Sequence, residues 1–79
     1  MNLLKAKQQL EAIHKQIIYE RTGTPEKLAK SLRVTPRTLR SYLKQMRALG
    51  AQVEYSRTRQ TYYYTQPVEL RFEFEPIKG

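Results

Sequence analysis

Apolar side chains recur at helical spacing at the start of the chain. One stripe, with intervals of three and four positions, consists of Leu3, Ala6, Leu10, Ile13 and Ile17. This spacing is typical of an amphipathic helix. Gly23 follows the stripe, and glycine often ends a helix because it adopts the left-handed conformation at little steric cost. We therefore predict one long helix from Asn2 to about Arg21, within a first segment that spans residues 1–22.

Two shorter helix patterns follow, and each begins with Thr-Pro, at Thr24-Pro25 and Thr35-Pro36. A threonine hydroxyl can accept a hydrogen bond from a free N–H of the first turn, and proline fits the first helical position because no N–H is needed there. The apolar positions are Leu28, Ala29, Leu32, Leu39, Leu43 and Met46, with Val34 in the link. Two short helices joined by a tight link predict a helix-turn-helix over residues 24–49, whose second helix covers residues 36–49.

The pattern then changes from helical spacing to short runs rich in Tyr, Val and Thr. Two such runs, Gln52–Ser56 and Thr61–Thr65, are separated by the polar residues 57–60. Runs of this composition around a short polar link predict a β-hairpin, here over residues 52–65. A final run, Val68–Glu75, alternates apolar and charged residues and predicts a half-buried strand.

Three helices followed by a hairpin is the order of elements in a winged helix-turn-helix. We therefore predict one α+β domain over residues 1–79, in which the hairpin is the wing and the strand at 68–75 is additional. This strand either packs on the first helix of its own chain or pairs with its copy in a homodimer. Leu4 and Ile18 lie off the apolar stripe of the first helix, and the same two interpretations apply to them.

Positive charge is concentrated in the helix-turn-helix. The chain has 15 Lys and Arg against 7 Asp and Glu, a formal net charge of +8. Residues 21–47 contain eight basic side chains and a single acidic one, and residues 36–49 contain four basic side chains and none that is acidic. A helix exposed only to solvent usually mixes acidic and basic residues. The concentration of charge predicts a polyanionic partner, for which nucleic acid is the first candidate.

The candidate contacts lie on the side of the second helix that faces away from its apolar stripe. At 100° per residue, Arg37, Ser41 and Lys44 lie opposite that stripe, with Arg40 and Arg47 beside them. Arginine matches guanine O6 and N7, so we predict a base contact for Arg37. For Arg40 and Arg47 we predict contacts with the sugar–phosphate backbone.

The hairpin link carries two further cations, Arg57 and Arg59. Arginines at the tip of a wing can reach a phosphate or the adjacent minor groove. We predict that both side chains contact DNA, and the alternative is that they are solvated turn residues.

Several short motifs combine in residues 23–65: Leu28-Ala29, Val34, Thr35-Pro36-Arg37-Thr38, Leu49-Gly50-Ala51 and Tyr62-Tyr63-Tyr64. With this spacing the segment resembles the N-terminal winged helix-turn-helix of the DeoR-type and WYL-domain bacterial transcriptional regulators. The resemblance implies sequence-specific binding to double-stranded DNA and transcription regulation. It also implies that the major groove and its flanking phosphates are contacted by Thr35, Arg37, Thr38, Arg40, Ser41 and Lys44. We also expect a cytoplasmic, nucleoid-associated location, which the absence of cysteine fits.

The sequence departs from this family at two points. Arg33 stands at a turn position that is usually glycine, so it would adopt a left-handed or bridge conformation at a cost of about 1 kcal/mol. The regulators also continue into a ligand-sensing or dimerising domain. The chain is therefore expected to be either an excised domain or a stand-alone DNA-binding protein.

The sequence contains no recognisable catalytic motif. His14 is the only histidine, there is no cysteine, and neither a Gly-rich phosphate loop nor carboxylates at metal-binding spacing are present. We expect a structural role for His14, no enzyme activity, and no metal, cofactor or small-molecule ligand. We also expect no membrane span and no secretion signal. The main alternative function is a winged helix that binds protein partners or RNA, because a fold does not fix its partner.

Overall fold

The computed structural model describes residues 3–70 of the 79-residue chain. Its elements, in chain order, are α1 (Leu3–Ile18), α2 (Pro25–Ser31), α3 (Pro36–Ala48), β1 (Val53–Ser56) and β2 (Thr61–Tyr64). Three helices and a two-stranded antiparallel hairpin form an α+β arrangement that is compatible with a winged helix. Within residues 3–70, no helix has the length and apolar character needed to cross a membrane.

The additional C-terminal strand is not shown. Residues 68–70, at the start of the predicted strand, have no regular secondary structure. Residues 71–75, which include Phe72 and Phe74, lie outside the described residues, as does Asn2 at the start of the predicted first helix. The strand therefore stays a prediction.

One core joins the three helices to the hairpin. Its fully buried apolar side chains come from every element: Leu10, Ile13, Ile17, Leu28, Ala29, Leu39, Leu43, Met46, Val53 and Tyr62. The predicted stripe of α1 is thus buried from Leu10 onward, whereas Leu3 at its start is 81 % exposed. Val34, in the link between α2 and α3, is half-buried and packs against this core.

Both Thr-Pro helix starts are confirmed. Thr24 is the N-cap of α2 and accepts the Lys27 N–H at 3.3 Å. Thr35 is the N-cap of α3 and accepts the Thr38 N–H at 3.1 Å. Each threonine has extended backbone angles and is followed by proline in the first turn, so the caps fix where α2 and α3 begin.

Each of the three helices is followed, two positions after its last residue, by a residue with left-handed backbone angles. These residues are Glu20 (φ 51°), Arg33 (φ 59°) and Gly50 (φ 108°). After each helix, the N–H of the left-handed residue donates to the carbonyl three positions back, and the next N–H reaches five positions back, which is the Schellman motif. Gly23 is left-handed (φ 73°), as predicted, but the predicted helix end there is wrong: α1 ends at Ile18, and Glu20 takes the left-handed position that follows it.

Arg33 adopts the left-handed conformation (φ 59°), one of the two that were predicted for it. Its N–H donates to the Lys30 carbonyl at 3.1 Å, and the following Val34 N–H donates to the Ala29 carbonyl at 3.0 Å. A side chain at a left-handed position is strained by about 1 kcal/mol relative to glycine. The tight turn between α2 and α3 therefore forms without glycine, and it adds one more exposed cation.

The hairpin is held by a hydrogen bond to an outward-facing group on each edge. Hydrogen-bonded and non-hydrogen-bonded pairs alternate along antiparallel strands. Because the Thr65 N–H donates to the Gln52 carbonyl, the next pair, Val53 with Tyr64, is not hydrogen-bonded, and neither is Tyr55 with Tyr62. The Val53 carbonyl and the Tyr62 N–H therefore point outward. The Tyr62 N–H donates to Thr22 Oγ1 at 2.8 Å, in the link between α1 and α2. The Val53 carbonyl accepts from Arg47 of α3. The orientation of the hairpin relative to the helices is thus fixed from both sides.

Candidate nucleic-acid interface

The outer side of α3 is a cationic surface without acidic partners. Arg37, Arg40, Ser41 and Lys44 are all exposed, while Leu39 on the opposite side is 1 % exposed. None of the three cations forms an ion pair with a carboxylate of residues 3–70. The structure therefore places these four predicted site residues on one accessible side of the helix, as the sequence predicted.

Thr35 and Thr38 form a small network at the start of this surface. Thr35 Oγ1 accepts the Thr38 N–H and donates to Thr38 Oγ1, both at 3.1 Å. A hydroxyl has one proton and two acceptor positions, so the Thr35 proton is used inside the cap. The Thr38 hydroxyl keeps its own proton. Of the two predicted contacts, Thr38 is thus the one able to donate to a phosphate oxygen, and Thr35 positions it.

Further exposed cations precede α3. Lys27 and Lys30 of α2 and Arg33 of the turn are exposed, and α2 packs directly against α3. None of the three forms an ion pair within residues 3–70. Together with α3, they extend the cationic surface of the helix-turn-helix beyond a single helix.

Arg47 faces the hairpin. Its Nε and Nη2 donate to the Val53 carbonyl at 3.3 and 3.1 Å, and this fork joins the end of α3 to β1. The sequence placed Arg47 beside the binding surface. Helical spacing could not predict its bond to Val53, because that carbonyl belongs to a different element. Arg47 therefore has a structural role in the orientation of the hairpin, and its predicted contact with the DNA backbone stays a prediction because the residue is exposed.

The two arginines of the loop at residues 57–60 differ in their surroundings. Arg57 is exposed and has no hydrogen-bond or ion-pair partner among residues 3–70. Arg59 donates from Nη1 to Oε1 of Glu20, which lies at the end of α1. Its guanidinium carbon is 5.0 Å from the centre of the Tyr63 ring. Glu20 and Tyr63 are site residues that sequence reasoning missed, because 39 positions separate Glu20 from Arg59 and no periodicity joins them.

His14 is in contact with Tyr64 of β2. Its Nδ1 is 2.6 Å from the Tyr64 hydroxyl. Burial raises the pKa of Tyr64 to about 12. Burial lowers the pKa of His14, and the nearby Glu69 partly offsets that shift. The half-buried position of His14 and this bond between α1 and β2 agree with the structural role that was expected.

A cavity of about 210 Å³ adjoins this pair, lined among others by Met46, Leu49 and Leu70. The described part of the chain contains no group of three or more His, Cys, Asp or Glu side chains that could hold a metal ion.

Comparison with known proteins identifies no relative: no family model, no curated protein and no solved structure matches this chain. The resemblance to the winged helix-turn-helix of bacterial regulators therefore stays a prediction.

Proposed function

We propose that this protein is a winged helix-turn-helix that binds double-stranded DNA in a sequence-specific manner and acts as a transcriptional regulator in the bacterial cytoplasm. In this proposal α3 lies in the major groove and the hairpin is the wing, with its loop against the neighbouring backbone or minor groove. One observation carries the proposal: three exposed cations on one side of α3 have no carboxylate partner among residues 3–70.

The exposed cations of α3 support a contact with the major groove. An α-helix enters the major groove of B-form DNA, where the base edges present a distinct pattern of donors and acceptors. Arg37 lies in the first turn of α3, and a recognition helix contacts base edges with its N-terminal residues. Arg40 and Lys44 follow along the exposed side and supply the charge that neutralises phosphates.

The same features disfavour double-stranded RNA, which is one part of the alternative. The major groove of an A-form helix is deep and narrow, so side chains on a helix cannot reach its base edges. A protein partner, the other part, would meet a surface of unpaired cations. Buried interfacial charges require pairing to be tolerated, so such a partner would itself have to be strongly acidic.

Selection of binding sites from random duplexes, followed by affinity measurements on variants, tests the proposal. Arg37→Ala should cost about 1–3 kcal/mol at the preferred site and relax the preference at one base pair. Arg40→Ala should weaken binding to all duplexes alike, and Lys15→Ala on α1 serves as the charge-matched control. If Arg37→Ala changed neither affinity nor preference, α3 would not be the recognition helix. Preferential binding to RNA or to an acidic protein would favour the alternative.

We also propose that the protein binds DNA as a homodimer joined through α1 and the predicted strand at 68–75. A single small module buries little surface on DNA, and two copies related by a two-fold axis would bind a palindromic site. Leu4 and Ile18 of α1 are 62 % and 54 % exposed, which supports a contact there. Sedimentation should give twice the 9.4 kDa of one chain, and Ile18→Glu should halve it. An unchanged monomer mass on concentration would refute the dimer.

A further inference from the structure

The loop between β1 and β2 is held against the end of α1 by one ion pair. Glu20 accepts a hydrogen bond on Oε1 from Nη1 of Arg59. The backbone of each of the two residues is held in place by its own hydrogen bonds. Glu20 occupies the left-handed position of the Schellman motif after α1 (φ 51°), and the Arg59 N–H donates to Ser56 Oγ at 3.2 Å. The carboxylate and the guanidinium therefore meet in a defined orientation.

The backbone near this pair is also anchored by buried groups. Thr22 is 5 % exposed and Thr61 is 2 % exposed, and their hydroxyl oxygens lie 3.2 Å apart. The Thr22 N–H donates to Thr61 Oγ1 at 3.3 Å. Because Thr22 and Thr61 are each two positions from one member of the ion pair, the link after α1 and the start of β2 hold Glu20 and Arg59 within reach of each other.

Arg59 keeps most of its donors available. A guanidinium has five N–H donors in a planar fork, and only Nη1 is engaged within residues 3–70. The side chain remains 52 % exposed, and its guanidinium carbon lies over the ring of Tyr63. The donor fork that binds a carboxylate also matches a phosphate. An arginine held at one nitrogen by a carboxylate and placed over an aromatic ring can therefore present its remaining donors to a second anion.

We propose that Glu20 is a positioning residue for nucleic-acid binding: it orients Arg59 so that the free edge of the guanidinium contacts a backbone phosphate. This inference rests on the proposed function, DNA binding. A flexible arginine loses side-chain freedom when it binds, and an arginine already held in place loses less. Arg57 has no such support within the described residues, so it contributes charge without a fixed orientation.

Duplex affinity of single and double variants tests the role of Glu20. Glu54→Ala is the matched control, because Glu54 is exposed on β1, pairs with Tyr63 in the hairpin register and forms no ion pair within residues 3–70. Loss of its negative charge should raise affinity slightly. Glu20→Ala makes the same change in charge, yet it should lower affinity about threefold, the effect of one exposed ion pair. Glu20→Gln, which keeps the Oε1 acceptor, should recover part of that loss.

The double variant connects the effect to Arg59. In the Arg59→Ala background, Glu20→Ala should behave like Glu54→Ala and raise affinity slightly. If Glu20→Ala raised the affinity of the wild type as well, Glu20 would compete with phosphate for Arg59, and the proposal would be overturned. An equal loss in both backgrounds would overturn it too. A wild-type protein that bound no duplex would refute DNA binding itself. That outcome is distinct from a wild type that binds duplex while the Glu20 and Arg59 variants fail to show the expected changes in affinity.

Discussion

Helices α1 and α3 have the same type of buried side and very different exposed sides. Each places three side chains in the fully buried core, Leu10, Ile13 and Ile17 from α1 and Leu39, Leu43 and Met46 from α3. On the exposed side of α1, Lys7 Nζ lies 3.9 Å from Oε1 of Glu11, one turn later. This is ordinary ion pairing on a solvated helix. The exposed side of α3 has no acidic residue. The buried stripes determine how the two helices pack, and the exposed sides distinguish what each helix can bind.

The largest expected effect is the loss of duplex affinity when positive charge is removed from α3, compared with the same removal from α1. Substitution by Gln of Arg37, Arg40 and Lys44 should lower duplex affinity by about 3 kcal/mol, roughly 150-fold. The matched variant on α1 replaces Lys5, Lys7 and Lys15 and should change affinity little. About six phosphate contacts predict a slope near −5 for the logarithm of affinity against the logarithm of salt concentration in the wild type, and the α3 variant, which loses the two phosphate contacts proposed for Arg40 and Lys44, should flatten it by about 1.8.

Equal losses from the two triple variants would show that net charge alone drives binding and would remove the distinction between the helices. A wild-type slope shallower than about −2 would indicate a partner other than duplex nucleic acid.

A second test separates two arginines of α3. Arg47→Met removes the donors to the Val53 carbonyl but keeps an apolar stem, so the free energy of unfolding should fall by about 1–3 kcal/mol. Arg40→Met has no such bond to lose within residues 3–70 and should change stability by less than about 0.5 kcal/mol. Duplex affinity should respond in the opposite order, with the larger loss from Arg40→Met. Urea unfolding measures the first quantity, and the same stability for both variants would contradict the structural role of Arg47.

A third test uses the left-handed turn between α2 and α3. Arg33→Gly should raise the free energy of unfolding by about 1 kcal/mol, because glycine accepts φ 59° without strain. It should also weaken duplex binding through the loss of one cation. Gly50→Ala is the converse control: a Cβ there meets no atom within 4 Å, so any destabilisation reports the backbone alone. Stability and affinity that moved in the same direction in Arg33→Gly would show that the turn has another role.

The smallest expected effect is on the pH dependence of stability. Because the pKa of folded His14 lies below its ordinary value of 6.5, the unfolded chain binds the proton more readily, and stability should fall as pH drops below 6.5. Tyr64, whose pKa is raised to about 12, should make stability fall as pH rises above 10. Thermal unfolding from pH 5 to 8 should show the first effect in the wild type and not in His14→Gln. An identical profile for both proteins would exclude His14 as its source.

The sequence predicted the elements well because local signals define them. Thr24 and Thr35 marked two helix starts to the residue, and the spacing of Leu39, Leu43 and Met46 identified the buried side of α3. The end of α1 was misplaced at Gly23 because a Schellman motif can also place a non-glycine residue, here Glu20, in the left-handed position. The contacts of Arg47 and Arg59 depend on how separate elements pack. No pattern along the chain relates Glu20 to Arg59 across 39 positions.

The bonds on the two edges of the hairpin also limit how copies of this protein can associate. A two-stranded ribbon with free outward N–H and C=O groups is a template for the addition of a strand from another molecule. Here the Val53 carbonyl on one edge accepts a hydrogen bond from Arg47, and the Tyr62 N–H on the other edge donates to Thr22 Oγ1. Extension of the sheet across molecules, the first step towards a cross-β aggregate, is therefore obstructed at both positions.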